Sequence, residues 1–414
     1  MTDWEALEKQ LKSLGVTFGK NSELKSKPKK QYPIEKVVEG RFIDTQDGQV
    51  FCHTEHYPND YCHGRQTLYP EDSIQTLCHW ADAEVLSNSD ISDFIFLDTE
   101  TSGLAGGTGT YAFEVGLGRF VNNEFQLAQF FMRHPGEEPA MLNGLSEFMH
   151  GMKAVVTYNG KSFDIPLLNT RYTMMGMPSP FEDIHHFDLL PLARRLWRLR
   201  LESRTLGHVE NEILGVERGD EEVPGYLIPE LYFDFLKTQD ARPLAGIFYH
   251  NAIDILSLAG LLSHTAFLLH NPTTDKIEYG EDHISLARFF SAQDDHKLAE
   301  ELFRKALRFE LKDILYWDAV EQLSFLYKKQ EKWNQAVELW EQAAEQNHLY
   351  AFEELAKYYE HRVKDLTAAQ DWTLRAITIL DKINIPAYQF NDWQESLNHR
   401  LNRLNRRLLS NTNT

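Results

Sequence analysis

Residues 94–104 read FIFLDTETSGL. Four apolar residues lead into two acids and then a glycine, the pattern of a buried strand that opens into a turn. Side chains alternate along a strand, so Asp98 and Glu100 project to one side. Two carboxylates held there lose hydration and repel each other, a cost that a counter-ion offsets. A hard divalent cation is the natural one, because it takes oxygen ligands and neutralises both charges. Solvated acids at a strand end are the bland alternative, and the acids elsewhere in the chain decide between the two.

Outward from this strand, residues 91–270 alternate between the two periodicities. YAFEVGLGRF (111–120) and FQLAQFFMR (125–133) read as the next strands, joined by a VNNE turn. LNGLSEFMHGM (142–152) is helical, AVVTYNG (154–160) a strand, and DIPLLNTRYTMMG (164–176) a helix. HHFDLLPLARRLWRLR (185–200) passes from a short extended piece into a helix. LAGIFYHNAIDILSLAGLLSHTAFLLH (244–270) is the longest apolar helical run and is expected to pack across the sheet. The pattern predicts an α/β domain, a mixed sheet flanked by helices.

Two further acids share its apolar setting. Asp164 falls in the first turn of the helix that follows AVVTYNG, where the backbone dipole favours a carboxylate even as a simple cap. Asp254 lies on the long apolar helix with His250 one turn earlier on the same face. Taken in order, a strand-borne D-x-E, an N-G-x-x-F-D and an H-x-x-x-D helix resemble the three motifs of the DEDD group of 3′–5′ exonucleases, which have the ribonuclease-H-like fold. DTETSGLAGGTGTYAFEVGLG, VVTYNGKSFDIPLL, FDLLPLARRLW and HNAIDILSL look like the bacterial YprB-type ribonuclease-H-like proteins in particular. The resemblance implies that Asp98, Glu100, Asp164 and Asp254 bind two divalent cations. It also implies metal-dependent 3′–5′ cleavage of single-stranded DNA or RNA. Mg²⁺ or Mn²⁺ suits an all-carboxylate set, whereas zinc more often brings histidine or cysteine.

Related exonucleases take their general base from a tyrosine four residues before the last aspartate or a histidine five before it. This chain departs from both, with His250 at the tyrosine spacing and Tyr249 at the histidine spacing. A neutral imidazole is the better proton acceptor near neutral pH, which selects His250, with Tyr249 as the alternative. LARRLWRLRLESR is expected to carry Arg194, Arg195, Arg198, Arg200 and Arg204 on one helix. Their guanidinium groups suit a nucleic-acid backbone; a solvated face with Trp197 and Leu201 in the core is the alternative. Asn159 and Thr101 join Arg194, Arg195 and Arg198 as candidate substrate contacts, and Asp188 is expected to be supporting structure. GLAGGTGTY (103–111) lacks a P-loop lysine and reads as a hairpin lip beside the substrate. FCHTEHYPNDYCHG groups Cys52, His53, His56, Cys62 and His63, types that zinc accepts, but without the paired short knuckles of strong zinc motifs.

The chain has 414 residues, 42 basic against 62 acidic, for a formal charge of −20. That field disfavours indiscriminate polyanion binding and leaves a local basic groove or bound metal as the route to nucleic acid. No uninterrupted apolar stretch is expected to span a bilayer, the N-terminal MTDWEALEKQLKSLGV lacks a signal-peptide core, and three cysteines fit a reducing cytoplasm. The expected organisation is an N-terminal helix and basic linker (1–34), an extension with the Cys/His stretch (35–90), the ribonuclease-H-like domain (91–270), and a helical domain (283–410). In the last, Ala299/Ala306, Ala336/Ala343 and Ala369/Ala376 form pairs seven apart, the pairs standing 37 and 33 residues from one another. Residues 283–382 thereby resemble tetratricopeptide repeats, which implies a stacked helical module that supports protein contacts. Two other functions fit the same motifs: a non-catalytic nucleic-acid-binding or interaction protein, and a structure-specific endonuclease.

Overall fold

The computed structural model describes residues 32–103 and 109–412. The expected N-terminal helix, most of the basic linker and the centre of the glycine-rich lip lie outside the described residues. Among the described residues there are nine strands: β1 (Arg41–Thr45), β2 (Gly48–Pro58), β3 (Cys62–His63), β4 (Gln66–Thr67), β5 (Phe94–Thr101), β6 (Ala112–Val121), β7 (Glu124–Phe131), β8 (Ala154–Thr157) and β9 (His185–Asp188). Seven of them form one sheet in the order β1-β2-β7-β6-β5-β8-β9, while β3 and β4 make a separate ribbon. The sheet is mixed: β5 pairs antiparallel with β6 and parallel with β8, which in turn runs parallel to β9. Residues 41–58 therefore add two strands to its edge.

The alternation of β5 divides the apolar residues between two cores. Phe94 and Phe96 face one side with the core helix, and Ile95 and Leu97 face the other. The helices flanking this sheet are α1 (Gln75–Trp80), α2 (Glu138–Phe148), α3 (Asp164–Met174), α4 (Leu189–Trp197), α5 (Ile228–Thr238) and α6 (Ala245–His270). Helix α6 lies across β5, β6 and β7. By length and composition the Arg242–His270 segment is apolar enough to cross a membrane, which corrects the expectation that no such stretch exists. Its most apolar window is 78% buried inside the protein, and its hydrophobicity is that of a core helix.

After residue 280 the chain is helical throughout: α7 (Gly280–Ala292), α8 (His296–Ala306), α9 (Asp313–Lys329), α10 (Trp333–Glu345), α11 (Leu349–Tyr358), α12 (Leu366–Leu380) and α13 (Ala387–Thr412). Each packs on its neighbour, and all six of the spaced alanines are fully buried at these crossings. The apolar core of this region is continuous with that of α6.

The approach of α6 to the sheet depends on two glycines. A Cβ on Gly116 would stand 2.1 Å from Asn251 Oδ1, and one on Gly118 would stand 2.7 Å from Ile255 Cγ2. Gly116→Ala is expected to destabilise the fold by about 1–3 kcal/mol, the usual cost of overpacking. The measurement is the urea midpoint at constant m-value.

Candidate functional site

Asp98 and Glu100 sit at the emerging end of β5. Across the ladder Asp98 faces Gly116 and Glu100 faces Glu114, so one side of the sheet carries three acids and a gap. Asn251 of α6 fills the gap and donates from Nδ2 to Asp98 Oδ2 at 2.9 Å. Its own Oδ1 accepts from Gln129 Nε2 at 3.0 Å, and the same amide reaches Glu114 Oε1 at 3.0 Å. The second oxygen of Glu114 has no hydrogen-bond partner among the described residues. Burial, and after it the charge of Asp98, holds the Glu114 carboxyl well above the usual range.

Asp164 opens α3 and is buried, with Oδ1 accepting from Thr99 Oγ1 at 2.5 Å. The strand-to-helix turn before it is fixed by Asp188. This carboxylate accepts the backbone N–H of Asn159 at 2.7 Å, Lys161 at 3.2 Å and Leu190 at 3.0 Å. Asn159 adopts a left-handed backbone (φ 66°) to make that turn.

The acids of β5, α3 and α6 act on one another. Burial raises the Asp98 carboxyl far above its ordinary value, reinforced by the charges of Asp254, Glu100 and Asp164. Glu100 is raised in the same way, by burial and then by Glu114, Asp254, Asp164 and Glu222. Asp164 is pushed from 3.8 up to about 6 by burial, against the Thr99 hydrogen bond, which lowers it. No lysine or arginine pairs with any of these three among the described residues.

Asp254 differs, since Arg218 forms an ion pair with its Oδ1. The same guanidinium forks onto Glu210 through Nε at 2.5 Å and Nη2 at 2.9 Å, and reaches Glu222 at 2.8 Å. Among the described residues no three His, Cys, Asp or Glu side chains are already gathered in metal-ligating geometry. The donor set nevertheless fits hard divalent cations: it is all oxygen, buried or half-buried, mutually repelling, and on three of four acids without a lysine or arginine partner among the described residues.

His250 stands against this cluster, with Nε2 at 3.5 Å from Asp254 Oδ2 and 3.8 Å from Glu100 Oε1. Its Nδ1 lies 2.7 Å from Glu222 Oε1. The Tyr249 hydroxyl is taken by the Gly219 N–H at 3.0 Å. The arginines expected on one helix are split, because α4 ends at Trp197. Arg194, Arg195 and Arg198 are exposed, Arg195 lying over the Phe289 ring, while Arg200 pairs with Asp282 at 3.0 Å. Thr101 Oγ1 is bonded to the Gly103 carbonyl at 3.0 Å.

The Cys/His stretch does not converge. Cys52 is buried in β2, His53 contacts Glu55 at 2.9 Å, His56 contacts Glu124 at 3.1 Å, and His63 bonds Ser257 at 2.8 Å.

A family model of the RNase_H superfamily matches residues 95–266. The chain is 35% identical over 326 residues to the uncharacterized protein YprB of Bacillus subtilis strain 168, covering 76% of each. The chain belongs to this ribonuclease-H-like family. Among solved structures, the family B DNA polymerase of the archaeon Pyrobaculum calidifontis is similar at a TM-score of 0.33 and 16% identity. That similarity covers 57% of this chain and 29% of the polymerase.

Raised carboxyls are an inverted form of the usual linkage. The neutral acids are favoured on folding, so the stabilisation they give is fully present below their unfolded values. It is lost as pH rises through the folded value, about 6 for Asp164. In chelator the site's contribution to stability should therefore fall from about pH 5 to about pH 7.5. Asp98→Asn should flatten that fall and raise stability at about pH 7.5 by about 0.5–2 kcal/mol, the scale of relieving a functional strain. Urea denaturation in EDTA at the two pH values measures both effects.

Proposed function

We propose that the chain removes nucleotides from the 3′ end of single-stranded DNA or RNA, with Asp98, Glu100, Asp164 and Asp254 holding two divalent cations, Mg²⁺ or Mn²⁺. The observation that carries this reading is the meeting of acids from β5, α3 and α6 beside a histidine, with the Asp98, Glu100 and Asp164 carboxyls held above their ordinary range by burial and by neighbouring acids. Buried like charges of this kind are kept where chemistry needs them. Divalent cations bound there supply Lewis acidity toward the scissile phosphate and its attacking water.

The chain's own groups do the rest. Two groups meet His250 Nδ1: Glu222 Oε1 at 2.7 Å and Arg218 Nη1 at 3.2 Å. Since Nη1 already donates to Glu222 at 2.8 Å, the shorter carboxylate contact is taken as the one that fixes the ring, with a proton on Nδ1. Nε2 is then left as the acceptor, directed between Glu100 and Asp254, where it takes the proton of the attacking water. A cleft of about 330 Å³ runs beside Asp164, walled by Thr99, Thr101, Phe163, Pro166 and Thr170. Phe163 is 57% exposed and offers a ring on which an unpaired terminal base stacks. Thr101 lines this cleft and Asn159 sits on the turn before Asp164, both as candidate substrate contacts, and exposed Arg194, Arg195 and Arg198 are assigned to the phosphate backbone.

Residues 283–410 are proposed as a separate tetratricopeptide-like module for a protein partner, a reading that the buried alanine pairs support. With its three cysteines free, the chain is assigned to the cytoplasm.

End-labelled DNA and RNA strands, incubated with Mg²⁺, Mn²⁺ or EDTA, test the activity. Shortening from the 3′ end with either cation, and none in EDTA or with Asp98→Ala, is expected. A discrete internal product makes the chain an endonuclease, and no cleavage leaves a binding protein. His250→Ala should cost about 10²–10⁴-fold in rate, the usual worth of a general base, while Tyr249→Phe stays near the wild-type rate. Equal losses in the two variants would remove His250 from this role.

A further inference from the structure

Asp254 is the acid of the cluster that the chain already neutralises. Arg218 takes its Oδ1, and His250 Nε2 lies 3.5 Å from its Oδ2. The guanidinium is anchored from behind by a two-pronged fork on Glu210, which is 1% exposed. Glu210 is itself held by Ser257 Oγ at 2.6 Å, and Ser257 by His63 Nε2 at 2.8 Å. With Nε and one edge of Nη2 committed to Glu210, the free edges of the guanidinium turn toward Asp254, Glu222 and His250. A partner needed only to neutralise Glu210 would not be surrounded by two further carboxylates. Arg218 thus touches the metal-candidate acid on one side and the ring-orienting Glu222 on the other.

We propose that Arg218 is a resident cation of the carboxylate site that competes with divalent-cation binding at Asp254 and weakens it. This rests on the assignment of the four acids as cation ligands. A positive charge in contact with one ligand repels an incoming dication, and in a partly buried site that repulsion is little screened. The anchoring on Glu210 keeps the guanidinium close, so competition is built into the fold and does not depend on a mobile segment. The gathering of Asp254 with the other acids then requires that the Arg218 contact be released.

The test is the affinity of the full chain for Mn²⁺, read from the free-ion electron paramagnetic resonance signal without substrate. Arg218→Met alone strands a buried carboxylate, so it is combined with Glu210→Gln, which removes both partners together. The double variant is expected to bind Mn²⁺ about ten- to a hundredfold more tightly than the wild type. In the wild type, Mg²⁺ should shift the side-chain N–H resonances of Arg218 as the site fills, a measurement that needs no variant. Equal or weaker Mn²⁺ binding by a folded double variant, or unmoved Arg218 resonances at saturating Mg²⁺, overturns the competition. Cation-dependent cleavage that Asp98→Ala abolishes would, in that case, leave the nuclease reading standing. Absence of Mn²⁺ binding in both proteins overturns the ligand assignment and the competition together.

Discussion

The contact between Asn251 and Asp98 is the constraint on which the rest of the site depends. It exists because β6 offers no side chain opposite Asp98, so α6 descends until Asn251 reaches the carboxylate. One position earlier on α6 is His250, and three later is Asp254. Once the Asn251 contact fixes the rotation and height of the helix, both of those side chains have no choice but to face β5. Gln129 of β7 donates to Asn251 Oδ1 and to the Phe248 carbonyl, so with the Asp98 contact helix and sheet are joined at three points.

The electrostatic burden of this arrangement is carried elsewhere. Two apolar cores, one on each sheet face, supply the burial that offsets placing these acids at one end of the sheet. The burden is also unevenly shared. Asp98 has an amide donor, Asp164 a hydroxyl donor, and Asp254 a full countercharge. Asp188 is spent entirely on backbone amides, which separates the acid that builds the turn from the acid that the turn presents.

Most of the fold was legible because it follows from periodicity. The apolar stretches of residues 94–97, 112–121 and 125–131 and the long apolar helical run of α6 located the sheet and its covering helix. The acids were legible for the same reason, being polar residues at apolar positions. Glu114 gave that signal too, inside YAFEVGLGRF, but nothing in the sequence marks which residue across the sheet is its neighbour. Arg218, Glu210 and Glu222 gave no signal. They belong to a short π-helical turn and an irregular segment, where neither the strand nor the helix period applies. The arginine helix was read too long, since Trp197 and Leu201 both reach the core although the helix ends between them. His250, Asn251 and Asp254 interrupt the apolar run of α6, yet a window within the segment stays apolar enough to match a spanning helix.

The irregular segment from residue 215 to 224 nonetheless meets both of the rings between which the motif spacing does not choose. It carries Arg218, which pairs with Asp254; Gly219, whose N–H holds the Tyr249 hydroxyl; and Glu222, which orients His250. Neighbouring residues on a helix project about 100° apart, so the spacing of His250 and Tyr249 from Asp254 permits either to serve. By taking the tyrosine hydroxyl on a backbone amide and the histidine on a carboxylate, this segment gives the two rings different partners. It is held in turn by α6, where Gly246 leaves space for Val223. The different surroundings of the two rings therefore come from a loop packed against the helix and not from the helix's own sequence.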